Sequence, residues 1–268
     1  MIRKLAVPAT IVAAFLGVTG VAQAATNHTA GWSVTPAKVG TKAAPKPAAI
    51  KQVFDVTTDD GTRPEITSDY SLAFSGIHQN TKYFAHCSKQ KILSGGQAAC
   101  RSAKVGSGIV DNLAGVSADK TSKIPCRLAL NLYNGATNHL ILVVNGGPNV
   151  AVNGPGGPKT CPLSVSDTPI DARFANSTRG ATIKFHVDEI PLQHPQGGVD
   201  NALVHVETNL NRKTKQIKVR QGGRTVTKTV GYVESFNRPS SGKLALVAKF
   251  VAAGTGATAT ATGFASVQ

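Results

Sequence analysis

The sequence predicts an all-β fold, a β-sandwich of jelly-roll or Greek-key type with about ten to twelve strands. Three observations carry that prediction. Short apolar runs alternate with polar residues at a period of two, as a half-buried strand requires. Glycine, at 27 of 268 residues, gathers with Asn, Asp and Pro between those runs and so marks turns. No window of a dozen residues carries the period of an amphipathic helix, and Leu and Met are too scarce for a helical bundle. A hydrophobic fraction of 41% beside 16% charged residues excludes wholesale disorder, and the chain is long enough to bury a real core.

Residues 1–24 read as a signal peptide. Arg3 and Lys4 make a positive start, Leu5 to Val21 is almost uninterruptedly apolar, and Ala22-Gln23-Ala24 supplies the small residues of a cleavage site. That apolar run is short for a spanning helix and no later stretch approaches one. A secreted or extracellular protein, in some settings wall-associated, with no transmembrane segment after cleavage is the expectation. Residues 25–47 are rich in Ala, Pro, Lys and Thr, and by composition alone they suggest a flexible linker.

Residues 48–268 are expected to form a single β-sandwich domain. Val53, Phe54 and Val56 lead to a turn at Asp59-Asp60-Gly61, and Tyr70, Leu72 and Phe74 alternate with Ser71, Ala73 and Ser75. Arg127 to Tyr133, then Asn134-Gly135, then Leu140 to Val144 read as strand, turn and strand. Asn153 to Pro158 is a hard break, and a division into two β domains there is the alternative. Beyond it, Ile183, Phe185 and Val187 alternate with polar residues, as do Val204 and Val206. Ile217 and Val219 face Val226 and Val230 across Gly222-Gly223, and Lys243 to Val251 with Ala257 to Val267 suggest a closing pair.

Export changes how the cysteines read. Cys87, Cys100, Cys126 and Cys161 are an even set in an oxidising setting, where disulfides persist. Of the three connectivities, Cys87–Cys100 with Cys126–Cys161 closes the smaller loops. Zinc is the competing reading, but there is no C-x-x-C, and His86 beside Cys87 is the sole His–Cys adjacency.

Three segments occur in order: Ser33 to Pro47 (SVTPAKVGTKAAPKP), Asp60-Gly61-Thr62-Arg63-Pro64, and the Cys87–Cys100 loop running into Lys104-Val105-Gly106-Ser107-Gly108. In these the chain resembles a family of uncharacterised secreted β-rich proteins from actinobacteria. Its members tend to carry a similar Lys/Pro start, an Asp-Gly-x-Arg-Pro turn and a Cys…Cys-Pro-x-Gly-Ser-Lys-Val-Gly-Ser-Gly segment. The resemblance covers Ser33 to about Gly135 and implies that the Lys/Pro start is an ordered edge of the domain. This chain departs from the pattern at Cys100-Arg101 and at Ser102-Ala103-Lys104, and Cys126 and Cys161 look like additions to it. The family has no established activity, so no catalytic residue transfers.

The residues themselves show no recognised catalytic signature. G-x-S-x-G is absent, and Ser117-x-x-Lys120 lacks its partner motifs. Ser241-Gly242-Lys243 lacks the upstream glycine of a phosphate loop. Asp188 and Glu189 are neighbours, and adjacent strand residues point to opposite faces. One constellation stands out. His186 with Asp188, and His205 with Glu207, each share one face of a strand. Antiparallel pairing about Gln196-Gly197 would oppose His186 to Glu207 and Asp188 to His205, at about 5 Å. That square is the one metal candidate; the plainer reading is a solvated face whose opposite charges fix register, and no cofactor is expected.

Charge is the other lead. There are 29 Lys and Arg against 14 Asp and Glu, a net +15, which becomes +13 without Arg3 and Lys4. Seven cations (Arg212, Lys213, Lys215, Lys218, Arg220, Arg224, Lys228) fall in one stretch with no acid. A turn at Gly222-Gly223 folds them into a basic ribbon in which Val219 opposes Val226 and Lys218 opposes Thr227. Such a ribbon attracts polyanions, here anionic cell-wall polymers or acidic glycans. No aromatics interleave to stack on bases, which argues against a specific nucleic acid. The expectation is a non-catalytic secreted or envelope-associated domain; a hydrolase with an unrecognised site and a purely structural envelope component are the alternatives.

Overall fold

The computed structural model describes residues 25–268, so the signal-peptide reading of 1–24 lies outside the described residues. Sixteen strands follow in chain order. They are β1 (Thr26–Thr35), β2 (Lys46–Pro47), β3 (Ala49–Thr58), β4 (Thr67–Ser75), β5 (Ile77–Gln79), β6 (Lys104–Val116), β7 (Ile124–Asn134) and β8 (His139–Gly146). Then come β9 (Val165–Asn176), β10 (Gly180–His186), β11 (Val199–Leu210), β12 (Thr214–Gln221), β13 (Arg224–Gly231), β14 (Val233–Ser235), β15 (Lys243–Ala252) and β16 (Thr258–Ser266).

Eleven of them form one antiparallel sheet in the order β1-β3-β11-β6-β7-β8-β9-β10-β4-β15-β16. Where two facing sheets of a sandwich were expected, a single sheet curls toward a barrel. The in–out alternation of residues is the same in both designs, so it selects neither; a long twisted sheet with one apolar face can cover that face by rolling up. Its edge strands meet. A Cβ placed on Gly263 of β16 would lie 2.4 Å from the Ala30 carbonyl oxygen of β1, so only glycine permits this approach. Strands from both sides of the Asn153–Pro158 break belong to the sheet. β1 pairs along its whole length with β3, so the start that composition alone reads as a linker is an edge strand.

Inside, Leu128, Leu130 and Leu132 of β7 and Leu140, Leu142 and Val144 of β8 are buried in one core. Phe250 of β15 centres an aromatic group. The His28 ring stacks on it at 4.7 Å, and Phe54 and Tyr70 meet it edge-on at 5.4 and 5.8 Å. Trp32 meets Phe74 edge-on at 5.3 Å. Each such side chain contributes about 1.5–3 kcal/mol of burial, and together they draw β1, β3, β4 and β15 onto one another.

β8 is apolar on both faces because both are covered. Its outward Ile141 and Val143 pack with Ile92, Ala103 and Tyr133 in a second buried cluster. Residues 81–103 provide this cover: a helix, α1 (Lys89–Gly95), flanked by single 3₁₀ segments at Thr81–Tyr83 and Gln97–Ala103. The Ser88 hydroxyl caps α1, accepting the Lys91 N–H at 3.1 Å. Periodicity does not reveal α1, because seven residues are too few to display the helical repeat. Both disulfides join the sequence-local partners, Cys87 with Cys100 and Cys126 with Cys161. The first staples the cover, and the second ties β7 to the long loop before β9.

Each end of the barrel is organised by polar groups. At one end, β2, β14 and β5 make a small sheet, with Tyr232 and Phe236 buried beside it. At the other end buried Arg63 gathers the loops, and buried Arg127 does so on the outer face of β7. Arg63 donates to the carbonyls of Ser122 (2.8 Å) and Val116 (2.9 Å) and pairs with Asp200 at 3.1 Å. Arg127 grips Asp111 through Nε (2.5 Å) and Nη2 (2.6 Å), and donates to the carbonyls of Gly157 (2.7 Å) and Pro155 (2.8 Å). A guanidinium out of water needs such partners on every side, so these two side chains fix the loops they bond.

The seam gives a direct test. Gly263→Ala drives a methyl into the Ala30 carbonyl and should cost about 1–3 kcal/mol by overpacking. Gly254→Ala, which meets open space, should be neutral or slightly stabilising. Thermal or urea denaturation of the two variants checks this.

Candidate functional site

The seven-cation stretch folds as expected. β12 and β13 form a separate two-stranded ribbon, with Val219 opposite Val226 and Lys218 opposite Thr227. Gly222 and Gly223 both take positive φ (56° and 79°), the conformation a two-residue hairpin turn demands and that glycine adopts freely. Along the ribbon most residues are exposed, and Val230 and Gly231 at its root are buried.

The pleat divides the cations between two faces. Lys218 and Arg220 share one with Gln216, Thr225, Thr227 and Thr229. Lys215, Arg224 and Lys228 share the other with Ile217, Val219 and Val226. Arg212 and Lys213 stand at the root. Lys213 differs from the rest: it is half-buried, and that burial pushes its ammonium pKa down. None of the seven pairs with a carboxylate among the described residues, whereas Lys51, Arg63 and Arg127 of the barrel are each paired.

The root is firmly held. Tyr232 N–H donates to the Lys213 carbonyl at 2.9 Å, Asn211 N–H to the Val105 carbonyl at 2.8 Å, and the Asn80 side chain to the Gly231 carbonyl at 2.9 Å. Glu234, buried between the strands of the small sheet, accepts the Gly231 N–H at 2.9 Å.

The His–carboxylate square does not form. β10 and β11 are separated by four strands of the sheet, β6 to β9. The connection between them is not a tight hairpin: Glu189–Gln193 forms a wide turn containing a cis Ile190–Pro191 bond. His186 instead faces Asp69 of β4 (Nδ1 to Oδ1, 2.9 Å), and His205 faces Asp55 of β3 (2.7 Å). Glu207 pairs with Lys51 at 2.9 Å, and Asp188 lies 3.8 Å from Lys89. Among the described residues no group of three or more His, Cys, Asp or Glu side chains converges as a metal site. The His186–Asp69, His205–Asp55 and Glu207–Lys51 pairs each bridge neighbouring strands, whereas Asp188–Lys89 joins a loop to α1.

Sequence reasoning overlooked the internal arginines. Arg63 sits in the Asp-Gly-Thr-Arg-Pro turn, and Arg127 opens an apolar run; a lone cation beside Leu128 was the available signal. It also overlooked Asp167, which accepts from the Gln97 side chain (2.6 Å) and the Asn145 side chain (2.9 Å) and so bonds the cover to the sheet. Comparison with protein-family models, curated proteins and solved structures finds no match for this chain.

The titratable groups predict two pH windows. Burial pushes the His28 pKa below its ordinary value, so the unfolded chain takes up its proton first and stability falls as pH drops below about 6.5. For Asp69 and Asp167 burial pushes upward but is outweighed by hydrogen bonds, from Ser68 and His186 and from Gln97 and Asn145. Lys51 likewise holds Glu207 low. The stability these carboxylates add is complete above their unfolded pKa of about 4 and is lost as pH falls through their lower folded values. Melting temperature should therefore decline in two steps. His28→Phe, which keeps the stack on Phe250, should remove the first step and leave the second; an unchanged profile would exonerate His28.

Proposed function

We propose that this protein is an exported, non-catalytic binding module that engages anionic polymers of the cell envelope through its β12–β13 ribbon. The observation that carries the reading is the ribbon's uncompensated charge: seven cations along a projecting hairpin and at its root, six of them exposed, with no acid in the stretch and no carboxylate partner among the described residues. Unpaired cations on a narrow ribbon concentrate positive potential and release counterions when a polyanion takes their place. Having charge on both faces suits a flexible chain that wraps the hairpin better than a flat surface that meets one side. The hydroxyls of Thr227 and Thr225, opposite Lys218 and Arg220, add hydrogen-bond donors for phosphate or carboxylate oxygens.

Two disulfides fit an oxidising compartment, and no helix among the described residues is long and apolar enough to cross a membrane. The apolar start of the chain and the resemblance to secreted actinobacterial proteins support export.

Retention on purified cell wall across a salt gradient tests the reading. The protein should elute well above physiological salt. Lys218→Gln/Arg220→Gln/Lys228→Gln should elute earlier, with the slope of log affinity against log salt smaller by about two to three, and with unchanged thermal unfolding. Elution of the unaltered protein near physiological salt, or identical elution of the triple variant, would sink the proposal.

A further inference from the structure

The outer wall of the barrel carries a second group of cations. Register across five neighbouring strands sets them in one lateral row. Arg173 of β9 lies opposite Lys184 of β10, Lys184 opposite Ser71 of β4, Ser71 opposite Lys249 of β15, and Lys249 opposite Thr260 of β16. Residues directly opposed across an antiparallel pair project from the same face. Here that face is the outer one: Arg173, Lys184, Lys249 and Thr260 are exposed, while the residues next to them, such as Phe174, Ile183 and Phe250, are buried in the core. With strands about 4.8 Å apart, the three cations span about 14 Å of the barrel's girth.

Among the described residues none of the three pairs with a carboxylate. The acids one step along that face, Asp171 and Asp69, are engaged by His139 (2.8 Å) and His186 (2.9 Å). Arg173 and Lys184 are like charges placed directly opposite each other, an arrangement that costs stability. The next row on the other side, Ala175, Thr182, Ala73, Val247 and Thr262, holds no side chain longer than valine, so the cations stand clear of it. The wall beneath them is convex. A flat surface meets only two or three of its strands, whereas a flexible chain can follow the curve and reach all three cations.

We infer that this row is a second contact for the anionic polymers that the ribbon engages, a chain of phosphates or carboxylates running across the strands from Arg173 past Lys184 to Lys249. The inference rests on the polymer reading of the ribbon for the class of partner, though on none of the ribbon's residues. An anion seated between Arg173 and Lys184 relieves their repulsion. The hydroxyls of Ser71 and Thr260, on either side of Lys249, donate to the oxygens of the next anion. Two contacts on one polymer hold the protein more tightly than either alone, because the second engages at high effective concentration.

Retention on purified cell wall across a salt gradient, compared among triple variants, makes the test. Arg173→Gln/Lys184→Gln/Lys249→Gln should elute earlier, with the slope of log affinity against log salt smaller by about two to three, and should unfold thermally no earlier than the unaltered protein. Lys38→Gln/Lys42→Gln/Lys120→Gln removes the same charge from exposed lysines outside the row and the ribbon, and its slope should change by less than about one. Equal shifts in these two variants would overturn the inference, showing a response to net charge alone. Unaltered elution of the row variant beside earlier elution of the ribbon variant would overturn it too, and would leave the ribbon reading in place. The reverse outcome would uphold the row and remove the ribbon; no retention of the unaltered protein would sink both. A second measurement needs no variant to fold. Amine acylation of the unaltered protein, free and wall-bound, is mapped by mass spectrometry. The wall should protect Lys184 and Lys249 several-fold more than Lys42 and Lys120, and equal protection would overturn the inference.

Discussion

A sheet with one apolar face must hide that face, and here the meeting of β1 with β16 does so. The contact is a backbone-to-backbone approach at Gly263 and Ala30, where a single methyl would keep the strands apart. Because the edges meet, the inner face becomes a lumen and the aromatic group around Phe250 gains walls on several sides. Long unpaired edges, which would otherwise invite association with other strands, are covered by the same contact. Closure also crowds the loops at one end, where Arg63 supplies donors to their carbonyls; Arg127 does the same for the loop laid over the outer face of β6 and β7.

Local features were legible in the sequence, and features that depend on closure were not. The ribbon register could be read because Gly222-Gly223 fixes a two-residue turn and the pairing then follows by counting. The disulfides could be read because short loops close most easily. The run Leu140 to Val144 was legible as a strand, and its missing alternation was a sign that residues 81–103 cover its outer face. The His186–Glu207 pairing failed because counting across Gln196-Gly197 presumes a hairpin, while the chain makes a wide turn before it and re-enters the sheet with four strands between. Sandwich and barrel share one alternation pattern, so telling them apart depends on which edges meet.

The ribbon and the barrel interior obey opposite physics. The ribbon is wet, charged on both faces and tolerant of partner shape, so its attraction weakens with salt. The barrel interior is lined mainly by apolar side chains and carries no charged group. They share no residue, and they are built from different parts of the chain.

The ribbon's attachment has a mechanical consequence. One of its strands continues from β11, which is hydrogen-bonded on both sides, to β3 and β6. The other continues into β14, which lies between β2 and β5. Tension on the hairpin therefore runs along central strands, so the bonds of each ladder share the load in shear instead of opening one after another as an edge strand peels. A protein held by this ribbon in a moving envelope would resist pulling in the one direction from which its tether can draw on it.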